Sequence, residues 1–175
     1  ELSSFAHSLY GYPMKFLTRP IDNTRIESLI SDYRKRAGNE VISRNDATRG
    51  VLRALGNNEA VGILIDQNTT LNEGIFADFF GIPAATTPSL ATFALRTDAV
   101  VVPGFIHWDQ ARRKHILEFQ STVKLIRTGN RQADTLANTA QFNQIIEAFV
   151  RKYPDQWLWI HRRWKTRPEG QDSLY

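Results

Sequence analysis

An uninterrupted apolar run, Ala60 to Ile65, ends at the polar pair Asp66-Gln67. Six such residues in a row predict a strand that is buried on both faces, because a half-buried strand would alternate with polar residues. A strand of this kind needs packed layers on both sides, and a parallel sheet between helices provides them. The run therefore limits the chain to folds with a covered central sheet.

Short apolar segments alternate with amphipathic segments along the rest of the chain. Met14 to Leu17 and Glu40 to Ile42 predict strands, and apolar residues at helical spacing after Asp22 or Asn23 predict a helix. A long helix is predicted over residues 131–153. The alternation predicts an α/β fold: one domain over residues 1–175 with a mainly parallel central sheet flanked by helices.

Two polar segments follow predicted strands, where sites collect in parallel sheets. Arg19-Pro20 ends one strand, and a guanidinium held by a rigid proline can bind phosphate or carboxylate with a fixed fork. Asp66-Gln67 ends another, and a carboxylate there can orient a base or hold a cation. The alternatives are an ion pair of Arg19 with Asp22 and a turn cap at Asp66. If both ends carry chemistry, Arg19 and Asp66 are placed to meet in one cleft.

Two aromatic segments have several interpretations. The loop Phe79-Phe80-Gly81 could line an acyl-chain pocket or belong to the core. Trp157 to Lys165 suits a membrane interface, stacking on single-stranded nucleic acid, or a terminal strand with tryptophans in the core. We expect Trp157 to Ile160 to pack into the domain. Four cations should stay near the surface and contact an anionic membrane or an acidic carrier protein: Arg162, Arg163, Lys165 and Arg167.

Charge and composition limit the kinds of partner and the kinds of chemistry that are possible. Residues 101–175 carry twelve Lys and Arg against seven Asp and Glu, a net charge of +5, whereas residues 1–100 have a net charge of −1. The basic half indicates an anionic partner, although a solubilising surface explains it equally well. There is no cysteine, which excludes disulfides and thiolate chemistry, and the four histidines form no recognised metal motif. We predict no metal site and no cofactor.

Four segments, in order, resemble the bacterial lipid A biosynthesis acyltransferases, the lauroyl/myristoyl transferase family. Residues 18–23 (TRPIDN) are similar to its YRPLDN region, and residues 62–67 (GILIDQ) to its GILxDQ strand end. Residues 74–84 (GIFADFFGIPA) resemble GxFVxFFGxPA, and residues 159–168 (WIHRRWKTRP) resemble WxHRRFKTRP. The resemblance covers nearly the whole chain and implies a glycerolipid acyltransferase-like α/β fold.

The resemblance also implies a catalytic pair, His-x4-Glu, in the motif His-x-Gly-Asn-Trp-Glu. Glu1 corresponds to the acidic member, so the histidine is expected five positions upstream, outside the chain. His7 lies on the wrong side of Glu1 to replace it. The chain is therefore expected to be an N-terminally truncated acyltransferase domain without activity of its own.

The implied reaction moves a fatty acyl chain from an acyl carrier protein thioester to a hydroxyl of a phosphorylated, Kdo-bearing lipid A precursor. Arg19 would contact an anionic part of that acceptor, and Asp66 and Gln67 would shape the site. The longer protein would lie at the cytoplasmic face of the bacterial inner membrane, against the membrane surface. The chain has no transmembrane run of about 20 residues. The rival functions are a related glycerolipid or glycolipid acyltransferase and a basic nucleic-acid-binding module; the motifs favour the lipid A branch, with no nucleic-acid partner.

Overall fold

Helices and strands alternate through the first part of the chain and strands pair locally in the second. The computed structural model describes residues 2–18, 21–36, 38–43 and 47–175. Within these residues it contains five α-helices: α1 (Leu2–Leu9), α2 (Thr24–Arg36), α3 (Ala47–Gly56), α4 (Ser89–Thr97) and α5 (Arg131–Lys152). The same residues form seven strands: β1 (Met14–Thr18), β2 (Glu40–Ser43), β3 (Ala60–Gly62), β4 (Ile75–Phe79), β5 (Ile82–Thr86), β6 (Gly104–Asp109) and β7 (Lys114–Phe119). The α/β class predicted from the sequence is confirmed.

The chain divides into two compact units, Glu1–Ile63 and Leu64–Tyr175. The first unit contains the parallel sheet, in the strand order β2-β1-β3. Lys15 on the central strand β1 lies between two acidic side chains, with Nζ 2.9 Å from Glu40 and 3.1 Å from Glu59. The hydrogen bonds to Glu40 and then Glu59 raise the pKa of Lys15 above its usual value. One lysine on the central strand thus links β2 with the residue that directly precedes β3.

Strand β3 is shorter and less buried than its apolar sequence predicts. It ends at Gly62 instead of Ile65, and its three residues are exposed or half-buried. Leu64 is 80% exposed, whereas Ile65 is buried. The prediction of a strand buried on both faces is therefore wrong. Among the described residues β3 pairs only with β1, so it lies at an edge of the sheet.

Helix α2 begins where the sequence predicts. Asn23 Oδ1 accepts hydrogen bonds from the backbone N–H groups of Arg25 (3.0 Å) and Ile26 (3.2 Å), so Asn23 caps the helix. Its apolar residues are nevertheless largely uncovered, and Leu29 is 69% exposed. Helix α3 is different: Val51 and Ala54 are fully buried.

Glycine at position 50 allows α3 to approach the sheet closely. A Cβ at Gly50 would lie 2.6 Å from Ile42 Cγ2 on β2, a distance that real Cβ atoms essentially never show. Any larger residue would push α3 away from β2. From the sequence Asn45 or Asp46 is predicted to cap this helix, but both lie outside the described residues.

The second unit is built from antiparallel hairpins rather than from more parallel strands. β4 pairs with β5, in a register that sets Phe79 opposite Ile82, and β6 pairs with β7. A two-residue connection cannot return a chain to a parallel strand, which requires a crossover of a dozen residues or more. The parallel arrangement is thus limited to three strands, and the other four pair antiparallel.

Helix α5 supplies much of the core of the second unit. It matches the predicted helix within one residue and buries Phe142, Ile146 and Val150. It also buries four polar side chains, and Asn138 and Asn143 are completely inaccessible. No helix among the described residues is both long enough and apolar enough to cross a bilayer.

Candidate functional site

The β4–β5 hairpin carries the predicted aromatic loop at its tip. Phe80 (φ 56°) and Gly81 (φ 74°) form the two-residue turn, and positive φ at both positions is the type I′ geometry that suits a twisted hairpin. The backbone N–H of Phe80 donates to Glu147 Oε1 on α5 at 2.8 Å. The helix therefore fixes the turn directly.

Phe79 belongs to the core. It is fully buried, and its ring lies 4.8 Å from that of Phe80, 5.8 Å from Trp157 and 5.7 Å from Trp164, between centroids. Trp164 Nε1 also donates to the Phe79 carbonyl at 3.1 Å. Of the aromatic loop, only Phe80 and Gly81 retain accessible surface.

Arg163 is buried beneath this hairpin, which corrects its prediction as a surface cation. It is 2% exposed, and its guanidinium donates to the Ala85 carbonyl at 2.9 Å and to Thr86 Oγ1 at 2.5 Å. Asn143 Nδ2 on α5 donates to Thr86 Oγ1 at 3.3 Å and to the Asp78 carbonyl at 3.0 Å. The tail, the hairpin and α5 thus share one buried polar network.

The guanidinium of Arg163 stays charged although it is buried. Burial lowers the pKa of Arg163 to about 10, and the negative charge of Asp66 opposes that shift. The ring of Phe79 faces the guanidinium with its centroid 5.2 Å away, which favours the cation further. At neutral pH Arg163 is therefore charged.

Asp66, for which the sequence predicts a role in a site, lies in the second unit. It is half-buried, and its Oδ1 atom is enclosed without a hydrogen-bond partner among the described residues. Gln67 beside it is exposed. Asp66 lies in a bend four residues after β3 ends, rather than directly after a strand.

The tail holds the segment after Asp66 through Asn68. The backbone N–H of Asn68 donates to His161 Nε2 at 2.8 Å, and Asn68 Nδ2 donates to Thr166 Oγ1 at 3.0 Å. Asn68 Oδ1 accepts from the Thr166 backbone N–H at 3.0 Å. Because His161 Nε2 accepts, the neutral ring carries its proton on Nδ1. We call these contacts of Asn68 with His161 and Thr166 the Asn68 clasp.

Arg167 completes the attachment of the tail to the hairpin. Its Nη1 donates to the Pro83 carbonyl at 2.9 Å, as Arg163 does to Ala85. Pro83 and Ala85 are two residues apart on β5, so their carbonyls point to the same side of the strand, away from β4. Arg167 is half-buried, and its prediction as a surface cation is only partly correct.

The aromatic segment of the tail is not the strand that one interpretation predicted. Trp159–His161 form a 3-10 turn, so the expected alternation of faces does not occur. Leu158 (67%), Trp159 (50%) and Ile160 (84%) are exposed, which contradicts their predicted packing, and Trp157 is half-buried against Phe79. Arg162 and Lys165 are exposed, as predicted.

Three predicted site residues cannot be placed. Glu1, Arg19 and Pro20 lie outside the described residues, so the expected meeting of Arg19 with Asp66 stays a prediction. Among the residues that the structure describes, no cluster of His, Asp or Glu could hold a metal ion.

Sequence reasoning missed the polar side chains that organise this region. Asn143 and Asn138 lie on the same face of α5 as Phe142 and Ile146 and are completely buried. Asparagine is a poor helix former, so its presence at buried helical spacing was the available signal for a structural hydrogen bond. Asn68 carried no comparable signal, because its partners lie more than 90 residues further along the chain.

The fold and the hairpin–tail cluster define an α/β protein whose C-terminal segment completes its second unit. The model of the family described as bacterial lipid A biosynthesis acyltransferase matches residues 1–166. The chain belongs to this family, as the four sequence motifs indicated.

The names of similar proteins agree with this family assignment. The chain is 32% identical over 164 residues to the lipid A biosynthesis palmitoleoyltransferase of Escherichia coli K12, covering 93% of the chain and 52% of the relative. It is 31% identical over 159 residues to the lauroyltransferase of the same strain, covering 90% and 50%. A lipid A biosynthesis acyltransferase of Haemophilus influenzae is 28% identical over 162 residues, covering 93% and 49%. The chain spans about half the length of the curated relatives that it matches.

Proposed function

We propose that the chain is part of an enzyme that transfers a fatty acyl group to a hydroxyl of a lipid A precursor. The observation that carries this proposal is the family match over residues 1–166, which includes the Asp66 segment, the β4–β5 hairpin and the tail up to Thr166. The named relatives are lipid A palmitoleoyl- and lauroyltransferases. The donor in this proposal is an acyl carrier protein thioester.

The chemistry needs a base, because an alcohol attacks a thioester slowly until its proton is removed. A histidine has a suitable pKa for this step, and a neighbouring carboxylate orients the ring and stabilises its charged form. We assign the carboxylate to Glu1 and the base to a histidine five positions upstream in the longer protein. General base catalysis contributes about 10²–10⁴ in rate, so the chain alone should show no measurable transfer.

Further residues would bind the substrates. Arg19, held by Pro20, would contact an anionic group of the acceptor. Asp66 and Gln67 would shape the site, and the Asn68 clasp supports this role by fixing the neighbouring backbone. Phe80 and Gly81 would contact the acyl chain, while Phe79, which is fully buried, would support them from beneath.

The basic half of the chain would favour anionic partners. Residues 101–175 carry a net charge of +5, which suits an acidic carrier protein and an anionic lipid surface. We place the longer protein at the cytoplasmic face of the inner membrane, where such a lipid would be acylated.

A chimera tests the proposal. The matched region of the E. coli palmitoleoyltransferase, 164 residues at 32% identity, is replaced by this chain, and acyl transfer from acyl carrier protein to a lipid A precursor is measured. We expect transfer, and its loss when the histidine five positions before Glu1 is changed to Ala. A folded chimera without activity, or with activity unaffected by that change, would contradict the proposal.

The role of Arg19 is tested in the same chimera. Arg19→Ala should lower transfer sharply and leave the thermal midpoint nearly unchanged, because a guanidinium that binds substrate contributes little to folding. A large fall in the midpoint with full activity in the remaining folded protein would instead make Arg19 a structural ion-pair residue.

A further inference from the structure

Three consecutive apolar side chains project from the tail into solvent. Leu158, Trp159 and Ile160 are 67%, 50% and 84% exposed. They lie in and beside the 3-10 turn Trp159–His161. A contiguous group of exposed apolar side chains marks a contact with a membrane or a partner.

The apolar turn has a defined conformation. Trp159 Nε1 donates to the Pro154 carbonyl at 2.7 Å, and the His161 backbone N–H donates to the Leu158 carbonyl at 3.1 Å. The imidazole of His161 is held by Asn68 at 2.8 Å. The turn is therefore anchored from both sides, and the polar atom of the indole needs no partner in the apolar phase.

Two exposed cations follow the turn, Arg162 directly after it and Lys165 three residues later. Arg162 and Lys165 form no ion pair among the described residues, and Arg162 lies 5.8 Å from the centroid of the Tyr175 ring. Such cations beside an aromatic turn match the headgroup level of an anionic bilayer. The tail also carries three acidic residues, Asp155, Glu169 and Asp172. We therefore expect insertion of the apolar side chains to contribute more to membrane binding than the charges do.

We propose that Leu158, Trp159 and Ile160 insert into the interface of an anionic lipid bilayer, with Arg162 and Lys165 at the headgroups. A bilayer is the occupant that this arrangement favours, because exposed cations beside an aromatic and aliphatic turn match the headgroup level of an anionic membrane. The proposal deepens the proposed function, since it names the surface through which an acyltransferase would meet its lipid. The test of this membrane contact does not depend on observing acyl transfer.

The first experiment measures flotation of the 175-residue chain with phosphatidylcholine vesicles that contain about one-third phosphatidylglycerol, an anionic lipid. We expect binding by the wild-type chain. Leu158→Gln with Ile160→Gln should lower the partition coefficient by about tenfold or more, since two apolar side chains leave the interface. The matched control is Leu71→Gln with Val100→Gln, which changes two apolar residues of the same unit that are also largely exposed (62% and 72%) and should bind normally.

The second comparison concerns the charges. Arg162→Gln with Lys165→Gln should lower binding by about threefold at physiological salt, and more at low salt. Arg112→Gln with Arg113→Gln removes two exposed cations elsewhere in the unit and should change binding less. Urea midpoints of all variants must match that of the wild type, so that a loss of binding reports on the surface and not on folding.

The proposal is overturned if the wild-type chain does not bind the anionic vesicles, or if both apolar pairs reduce binding equally. It is also overturned if the chain dimerises and Leu158→Gln with Ile160→Gln abolishes the dimer without affecting flotation. An inactive chimera with normal flotation would reject the acyl-transfer function and leave the membrane contact in place.

Discussion

Arg163 Nη1 donates a 2.9 Å hydrogen bond to the carbonyl of Ala85, from a guanidinium that is almost wholly buried. The same group reaches Thr86 Oγ1 at 2.5 Å and Asn143 Oδ1 at 3.5 Å. Residues that are 78 positions apart in the sequence are thus joined in the interior. Tail and hairpin therefore fold as one structure.

Replacing Arg163 should destabilise the protein strongly. Arg163→Met removes the hydrogen bond to Thr86 Oγ1 and leaves the Ala85 carbonyl with the Thr69 backbone N–H (3.3 Å) as its remaining donor, and it should reduce the free energy of unfolding by about 2–4 kcal/mol. Arg163→Lys should recover little, because an ammonium lacks the planar fork that reaches both acceptors. Urea unfolding measures both changes.

The neighbouring Arg162 provides the control, since it is exposed. Arg162→Met should change stability by less than about 0.5 kcal/mol. Equal stabilities of Arg163→Met and Arg162→Met would mean that the buried network contributes nothing.

Breaking the Asn68 clasp should loosen the segment that carries Asp66. Asn68→Ala removes two side-chain hydrogen bonds to Thr166, each contributing about 1 kcal/mol. Amide hydrogen exchange at Asn68 and Thr166 should accelerate by about tenfold or more. Asn72→Ala, in the exposed turn before β4, is the control. Unchanged protection at Thr166 would show that the clasp is not what holds the tail.

Asp134 should make stability depend on pH in the acid range. Its carboxylate accepts from the Thr128 hydroxyl (2.7 Å), the Thr128 backbone N–H (2.8 Å) and the Gly129 backbone N–H (3.3 Å). These bonds, the hydroxyl first, lower the pKa of Asp134 below 3.8. A lowered carboxyl pKa gives stability that is present above the unfolded value and lost as pH falls through the folded value.

Asp134→Asn should therefore be less stable than the wild type at neutral pH, and the difference should shrink towards about pH 2. Thermal midpoints across this range measure the effect. Asp172→Asn, exposed in the tail, should show no such convergence. A constant gap between Asp134→Asn and the wild type would exclude the carboxylate charge as its cause.

Two glycine-to-alanine substitutions should change the free energy of unfolding in opposite directions. Gly81 has φ 74° and open space around a Cβ, so Gly81→Ala should lower stability by about 1 kcal/mol through backbone strain alone. Gly56 also has open space but no positive φ, and it lies in α3. Gly56→Ala should raise the stability of its helix by up to about 1 kcal/mol. Denaturant unfolding of each variant measures the difference, and equal effects would reject the type I′ turn.

Local sequence patterns predicted the positions of helices and strands well, and the pairing between strands less well. Asn23 as a helix cap, the strand from Met14 and the span of α5 all follow from residues close together in sequence. The antiparallel pairing in the second unit was harder to predict, because the sequence of an apolar strand does not show in which direction its neighbour runs. The turn Phe80-Gly81 was the local signal, although a phenylalanine with positive φ is an uncommon choice there.

The candidate site was predictable only where its residues act locally. The position of Asp66 follows from the end of an apolar run, but its unpartnered Oδ1 does not. The tail was misjudged because its pattern fits a strand, whereas its conformation is set by distant partners: Ala85 for Arg163, Pro83 for Arg167 and Asn68 for His161. Sequence spacing alone contains no information on such contacts.

The two arginine caps on β5 have a consequence for how copies of this protein behave towards one another. The carbonyls of Pro83 and Ala85 lie on the side of β5 away from β4, which no strand of the described residues covers, and an uncovered strand is a template for pairing with another chain. Arg163 and Arg167 occupy that template. A polypeptide synthesised only as far as residue 160 would cover this edge with the Thr69 backbone N–H, which donates to Ala85 at 3.3 Å, and would leave the Pro83 carbonyl without Arg167, so we expect it to aggregate more readily until the two arginines are added.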